Sequence, residues 1–192
     1  MFSKVRAIFI SVFNWSVPNA LLLLNNRIKL TGKQPYCAQL TKVTGKGKIE
    51  IGKNCTFGYK RGGFHRRGMI ELQPRGKNAL ITIGDHVATN NNVFVCAENY
   101  IAIGDHTLIG QYVTLMDHEA HNVHPLKRRE LGEVGKIVIG RNVWIGNNVI
   151  ILKNSEIGEG SVVAAGAVVS GNFPANVIIG GIPARVIKKI DV

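Results

Sequence analysis

Residues 139–173 repeat one six-residue unit almost without interruption. Counting in sixes gives Ile139, Ile145, Ile151, Ile157, Val163 and Val169, every one aliphatic. Three places after each of these stand Asn142, Asn148, Asn154, Gly160, Gly166 and Asn172. Asn and Gly enter the left-handed backbone region at least cost, so their recurrence marks a bend in every unit. The place after the bend reads Val143, Val149, Ser155, Ser161, Ala167 and Phe173, small or apolar until the last unit and able to face inward.

Few folds accept this pattern. In a helix each recurring Gly would cost about 1 kcal/mol relative to Ala. In a straight strand, alternation would bury Arg141, Lys153 and Glu159 beside the aliphatic residues, with heavy penalties for unpaired charge. The chain must therefore turn between them. Short extended pieces joined by bends, each burying one aliphatic side chain, stack into a parallel β-solenoid.

The stretch Ile139-Gly-Arg-Asn-Val-Trp-Ile-Gly146, followed by Gly180-Gly-Ile-Pro-Ala-Arg-Val-Ile-Lys188, resembles the left-handed β-helix hexapeptide-repeat acyltransferases. The resemblance implies an all-β, left-handed parallel β-helix with three units per coil, acetyl-CoA as co-substrate without a metal, and a homotrimer with its sites between subunits. The expected organisation is an apolar and basic capping segment over 1–48, the β-helix over 49–183 with a protruding loop at 116–138, and a short basic tail over 184–192.

Twenty-four Lys and Arg against 12 Asp and Glu give a net charge of +12, which calls for an anionic partner. A phosphorylated cofactor, an acidic glycan or a membrane surface would serve. Nucleic acid is set aside, because neither zinc-finger spacing nor an aromatic RNA-binding signature is present. Cys37, Cys55 and Cys96 are odd in number and lack a C-x-x-C pair, which predicts reduced thiols and a cytoplasmic setting. Residues 7–24 are apolar, but Asn14, Pro18 and Asn19 interrupt them and argue against a spanning helix. Lys4 and Arg6 imitate a signal peptide without a clear cleavage site. With Phe2, Val5, Phe9 and Val12 on one side, this segment reads as a helical cap over the first coil, or else as a peripheral contact with the inner face of the membrane.

Along the chain, the repeat begins at Ile51 and is broken by a Gly-rich loop, 59–68, holding Lys60, Arg61, Arg66 and Arg67. It resumes at Ile83 and Ile103, where His86 and His106 occupy the bend position and read as turn residues rather than ligands. It stops again after Leu115. The interval to Ile137 contains Asp117, His118, His121 and His124 and must protrude from the coil.

A loop histidine can take a proton from a hydroxyl as an acyl group arrives, with a carboxylate orienting its ring. Asp117-His-Glu-Ala-His121 resembles the Asp and catalytic His of bacterial polysaccharide and lipopolysaccharide O-acetyltransferases, and His121 precedes Ile139 at nearly the spacing of galactoside-type enzymes. This makes His121 the expected base and Asp117 its orienter, with His118 on the acceptor side. Asn90 and Glu98 match the segment that holds the acceptor sugar in galactoside-type enzymes. For acetyl-CoA the resemblance points to Trp144, Asn147, Ala165, Ser170, Arg185 and Lys188. The expected activity is acetylation of a sugar hydroxyl in a surface polysaccharide or lipopolysaccharide precursor, the acceptor being acidic or lipid-linked on one reading. Transfer to an amino sugar, a γ-carbonic-anhydrase-like hydratase and a non-catalytic solenoid are the alternatives.

Overall fold

The computed structural model describes residues 25–192. The expected N-terminal helix and its apolar face lie outside the described residues. Seven coils follow one another. The first is β1 (Ile28–Leu30), β2 (Tyr36–Cys37) and β3 (Thr41–Val43); the second is β4 (Lys48–Ile51), β5 (Thr56–Phe57) and β6 (Ile70–Pro74). The third is β7 (Leu80–Ile83), β8 (Ala88–Thr89) and β9 (Phe94–Ala97); the fourth is β10 (Tyr100–Ile103), β11 (Leu108–Ile109) and β12 (Thr114–Met116). The fifth is β13 (Lys136–Ile139), β14 (Trp144–Ile145) and β15 (Ile150–Ile151); the sixth is β16 (Ser155–Ile157), β17 (Val162–Val163) and β18 (Val168–Val169). The last is β19 (Asn172–Phe173) and β20 (Val177–Gly181), closed by β21 (Ala184–Lys189).

The first strands of successive coils stack into one parallel sheet, the second strands into another and the third strands into a third, giving three faces. We call the turn from face one to face two the first corner, from two to three the second, and from three back to one the third. This is the left-handed parallel β-helix that the resemblance implied. The register places Ile51, Ile83, Ile103, Ile139 and Ile157 in one buried column. Each such side chain removed from water stabilises the fold by roughly 1.5–3 kcal/mol.

The bends fall where the repeat predicts them. Asn54, His86, His106 and Asn142 hold φ of 58°, 58°, 59° and 51° at the first corner, so the two histidines are turn residues, their rings stacked 4.7 Å apart. At the end of the repeat the expected bend at Asn172 is corrected: Gly171 takes the positive φ, and Asn172 lies in β19.

Segment boundaries are also corrected. Residues 28–43, expected within the capping segment, already form the first coil, because Ile28 and Leu30 pair with Ile49 and Ile51 and pack against the core. Residues 184–189, expected as a tail, form β21, which turns back antiparallel onto β20. The loop between β12 and β13, at the third corner of the fourth coil, spans 117–135, shorter than the expected 116–138 because Met116 belongs to β12 and residues 136–138 to β13.

Candidate active site

Three successive turns of the third corner build the site. In the second coil the chain leaves β6 with Arg75; in the third it leaves β9 with Glu98 and Asn99; in the fourth it leaves β12 with Asp117 and His118. The pairing of Gln73 with Cys96, and of Cys96 with Met116, continues to put Arg75, Glu98 and His118 at one register.

Asp117 is fully buried and its carboxylate accepts three backbone N–H groups from the preceding turn of the third corner: Glu98 at 2.7 Å, Asn99 at 2.9 Å and Tyr100 at 2.8 Å. A buried carboxylate so satisfied is held in one orientation. Its Oδ1 also lies 2.9 Å from Nδ1 of His118, whose side chain is likewise buried. On the other side of the ring, Arg75 Nη1 is 3.1 Å from Nε2. A guanidinium only donates. Nε2 must therefore be the acceptor and Nδ1 the protonated nitrogen, which donates to Asp117. Arg75 is itself held by Gln73 Oε1, at 3.1 Å from Nε and 2.9 Å from Nη2.

This corrects the expected pairing. Asp117 orients His118, and His121 stands apart: its Nδ1 donates to the Arg128 carbonyl at 2.8 Å in the exposed outer part of the loop. His124 lies beyond it and accepts from Leu126 N–H. The stem of the loop is an irregular hairpin, with His118 bridging Val134 and with Glu119 N–H donating to the Glu133 carbonyl at 2.9 Å. Lys153, at the third corner of the fifth coil, pairs with both Glu119 and Glu133 and fastens that stem to the solenoid.

Beside the ring, the Cys96 thiol is buried and donates to Gln73 Oε1 at 3.0 Å. Burial, reinforced by Asp117, Glu98 and Glu71 and opposed by Arg75, pushes its pKa up to about 11. Cys96 therefore remains a thiol at neutral pH, a poor nucleophile.

The remaining sequence-predicted residues occupy two other places. Glu98 is half-buried in the column between Arg75 and His118. Asn90, Asn147 and Ala165 lie at the second corner, in the third, fifth and sixth coils, where Asn147 Oδ1 accepts Gln111 N–H at 2.8 Å. Trp144 projects from face two with 58% of its surface exposed, and Arg185 and Lys188 lie on the exposed strand β21 that edges the same face. Ser170 alone among the cofactor candidates stands at the third corner. Within one chain, then, the Asp–His pair stands at the third corner, whereas five of the six cofactor candidates lie on face two or at the second corner. Exposed cations and an open aromatic face suit an anionic, adenine-bearing molecule such as acetyl-CoA. Among the described residues no three His, Cys, Asp or Glu side chains are grouped to hold a metal ion.

Arg75 is the site residue that sequence reasoning missed. It follows Pro74 in a basic stretch, and only the coil register reveals that it stacks with His118.

The bacterial transferase hexapeptide (six repeats) pattern matches residues 136–171. The chain is 33% identical over 156 residues, 76% of its length and 74% of the other, to WbbJ of Escherichia coli strain K12, assigned to lipopolysaccharide biosynthesis as an O-acetyl transferase. It is 32% identical over 173 residues to a galactoside O-acetyltransferase of Lactococcus lactis, covering 90% of this chain and 77% of that one. A hexapeptide-repeat acetyltransferase of Vibrio cholerae, solved with acetyl-CoA, superposes with a TM-score of 0.58 at 29% identity, over 88% of this chain and 75% of that one. Fold, site and relatives define an acyl-group transferase. The chain belongs to the hexapeptide-repeat acetyltransferases and draws its acetyl group from acetyl-CoA.

Proposed function

We propose that this enzyme acetylates a hydroxyl of a sugar unit of a surface polysaccharide or lipopolysaccharide, with His118 as general base. The observation that carries this reading is the Asp117–His118–Arg75 arrangement, which leaves a neutral imidazole with its lone pair on Nε2. The names of the relatives supply the acceptor class: one is assigned to lipopolysaccharide, the other acts on galactosides.

Acetyl-CoA supplies the acetyl thioester. His118 Nε2 takes the proton of the acceptor hydroxyl as its oxygen attacks, and returns that proton to the departing sulfur. Asp117 holds the ring and stabilises the imidazolium between these two transfers. Arg75 is a positioning residue: it fixes the tautomer at rest and moves aside as the hydroxyl takes its place on Nε2. Direct transfer in a ternary complex is supported by the protonated state of Cys96, the thiol nearest the base.

Because the base stands at the third corner while most cofactor candidates lie on face two or at the second corner, a complete site needs the third corner of one copy against face two of a neighbour. This favours a homotrimer. The experiment is to supply acetyl-CoA with a panel of sugars, follow free thiol, and locate the acetyl group by NMR. Thiol release that depends on a sugar hydroxyl and is lost in His118→Ala is expected. Release at the rate of plain hydrolysis with every acceptor would remove the proposal.

A further inference from the structure

The net charge of the chain is not spread along the solenoid. Residues 25–80, the first two coils, hold 13 Lys and Arg against two Asp and Glu, whereas residues 81–192 hold nine against 10. All of the described chain's positive excess therefore sits at one end of the prism.

These cations also encircle that end. Lys29 faces out from face one and Lys42 from face three. Lys33 and Lys53 lie at the first corner, the loop with Arg61 and Arg66 at the second, and Lys46 and Lys77 at the third. All eight are exposed, and two of them, Lys29 and Lys53, pair with acids, namely Glu50 and Asp85. The loop between β5 and β6 is not a loose excursion. Asn91 Nδ2 donates to the carbonyls of Tyr59 and Gly63, Gln111 Nε2 also bonds Gly63, and the Phe64 ring packs 6.0 Å from Tyr112, so its arginines are presented from a fixed base.

A ligand held in a groove would call for cations along one face. A ring of them around the end of a rod fits an anionic plane that meets the rod end-on. Two coils span about 10 Å along the axis, roughly one Debye length at physiological salt, so the whole ring can feel such a plane. The strands β1, β2 and β3 are the terminal strands of the three sheets, and the sequence that leads into them, residues 1–24, adds Lys4 and Arg6, no acid, and the apolar run Leu21-Leu-Leu-Leu24. An apolar segment joined to a basic surface is the two-signal combination that gives stable membrane association.

We propose that the first-coil end of this β-helix docks on the surface of an anionic lipid bilayer. The test is cosedimentation of the full chain with vesicles of phosphatidylcholine alone and with added phosphatidylglycerol. Binding that requires phosphatidylglycerol and weakens with salt is expected. The combined variant Lys33→Gln, Lys42→Gln, Lys46→Gln and Lys77→Gln should bind about a thousandfold more weakly, taking surface cations at their usual individual strength. A second variant, Arg129→Gln, Lys136→Gln, Arg141→Gln and Lys189→Gln, removes the same charge elsewhere and should bind as the parent does. Circular dichroism checks that both fold. Equal loss in the two variants, equal binding to both kinds of vesicle, or no binding to either overturns the proposal. So does retention on a soluble polyanion such as heparin or DNA without binding to vesicles, which would make the end a polyanion site.

Discussion

Arg75 Nη1 stands 3.1 Å from His118 Nε2, although the two residues are 43 apart in sequence and two coils apart in the solenoid. The contact forces the lone pair of the imidazole onto Nε2 and the proton onto Nδ1, facing Asp117. It also lays a cation over the atom that receives the acceptor's proton in the proposed mechanism. Replacing Arg75 by Gln should therefore split the kinetic constants: kcat falls as the ring loses its fixed tautomer, while KM for acetyl-CoA stays near that of the parent. Lys should restore part of kcat. Equal changes in both constants, with a lowered Tm, would mean that Arg75 serves the fold alone.

General-base catalysis is typically worth about 10²–10⁴-fold, so His118→Ala should lower kcat by that order with cofactor affinity retained. His121→Ala, whose ring meets a loop carbonyl, should cost much less. Turnover of the two variants at matched circular dichroism decides between the histidines. A dead His121 variant beside an active His118 variant would return the base to the outer loop.

Asp117→Asn keeps the shape but loses a charged acceptor that three backbone N–H groups share. Hydrogen bonds to charged groups contribute about 1.5–3 kcal/mol each, so a fall in unfolding free energy of at least that order is expected from denaturant titration. Activity should fall further than the folded fraction does, because the ring of His118 loses its orienter as well.

Lys153 fastens the loop stem through Glu133 and Glu119. The hydrogen bond from Lys153 holds the Glu133 carboxyl below its ordinary pKa. A carboxyl lowered in the folded state contributes at pH values above its ordinary pKa, and that contribution is lost as pH falls through the lowered one. Proteolytic nicking of the loop should accordingly accelerate on acidification, measured with an acid-active protease. In Lys153→Met the nicking should already be fast at neutral pH. A loop equally resistant in parent and variant would show that the pairing does not fasten it.

With its pKa at about 11, Cys96 should resist iodoacetamide at neutral pH and react faster as the solution becomes alkaline. Mass spectrometry of the folded protein reads this directly. Rapid alkylation of Cys96 at neutral pH would reopen a covalent route.

The solenoid was legible because its constraint is local. An aliphatic residue every sixth place and Asn, His or Gly at each bend speak for themselves, and Asn54, His86, His106, Asn142, Asn148 and Asn154 all take the positive φ this requires. The first coil escaped notice because Ile28, Leu30 and Val43 are fewer and only partly buried at an end of the stack. The protruding loop was placed from the break in the repeat. Which of its histidines meets Asp117 was not legible, because adjacent residues and residues four apart are both plausible partners until the chain's direction at the corner is known. Arg75 was invisible for a related reason: its partner is fixed by how many residues each coil contains.

That dependence gives the third corner the character of a measuring rod. Ladder spacing sets residues of equal register about 4.8 Å apart per coil, so Arg75 must reach over roughly 10 Å of backbone separation to meet His118. Asp, Asn or Ser could not cover that distance, whereas a neighbouring coil would leave an arginine too long to stay in line. Insertion of one whole coil between β6 and β12 would preserve every buried column and yet pull these two side chains out of reach. Removal of one would leave the arginine overshooting the imidazole, so the enzyme can lose this contact through a change of length that leaves its core intact.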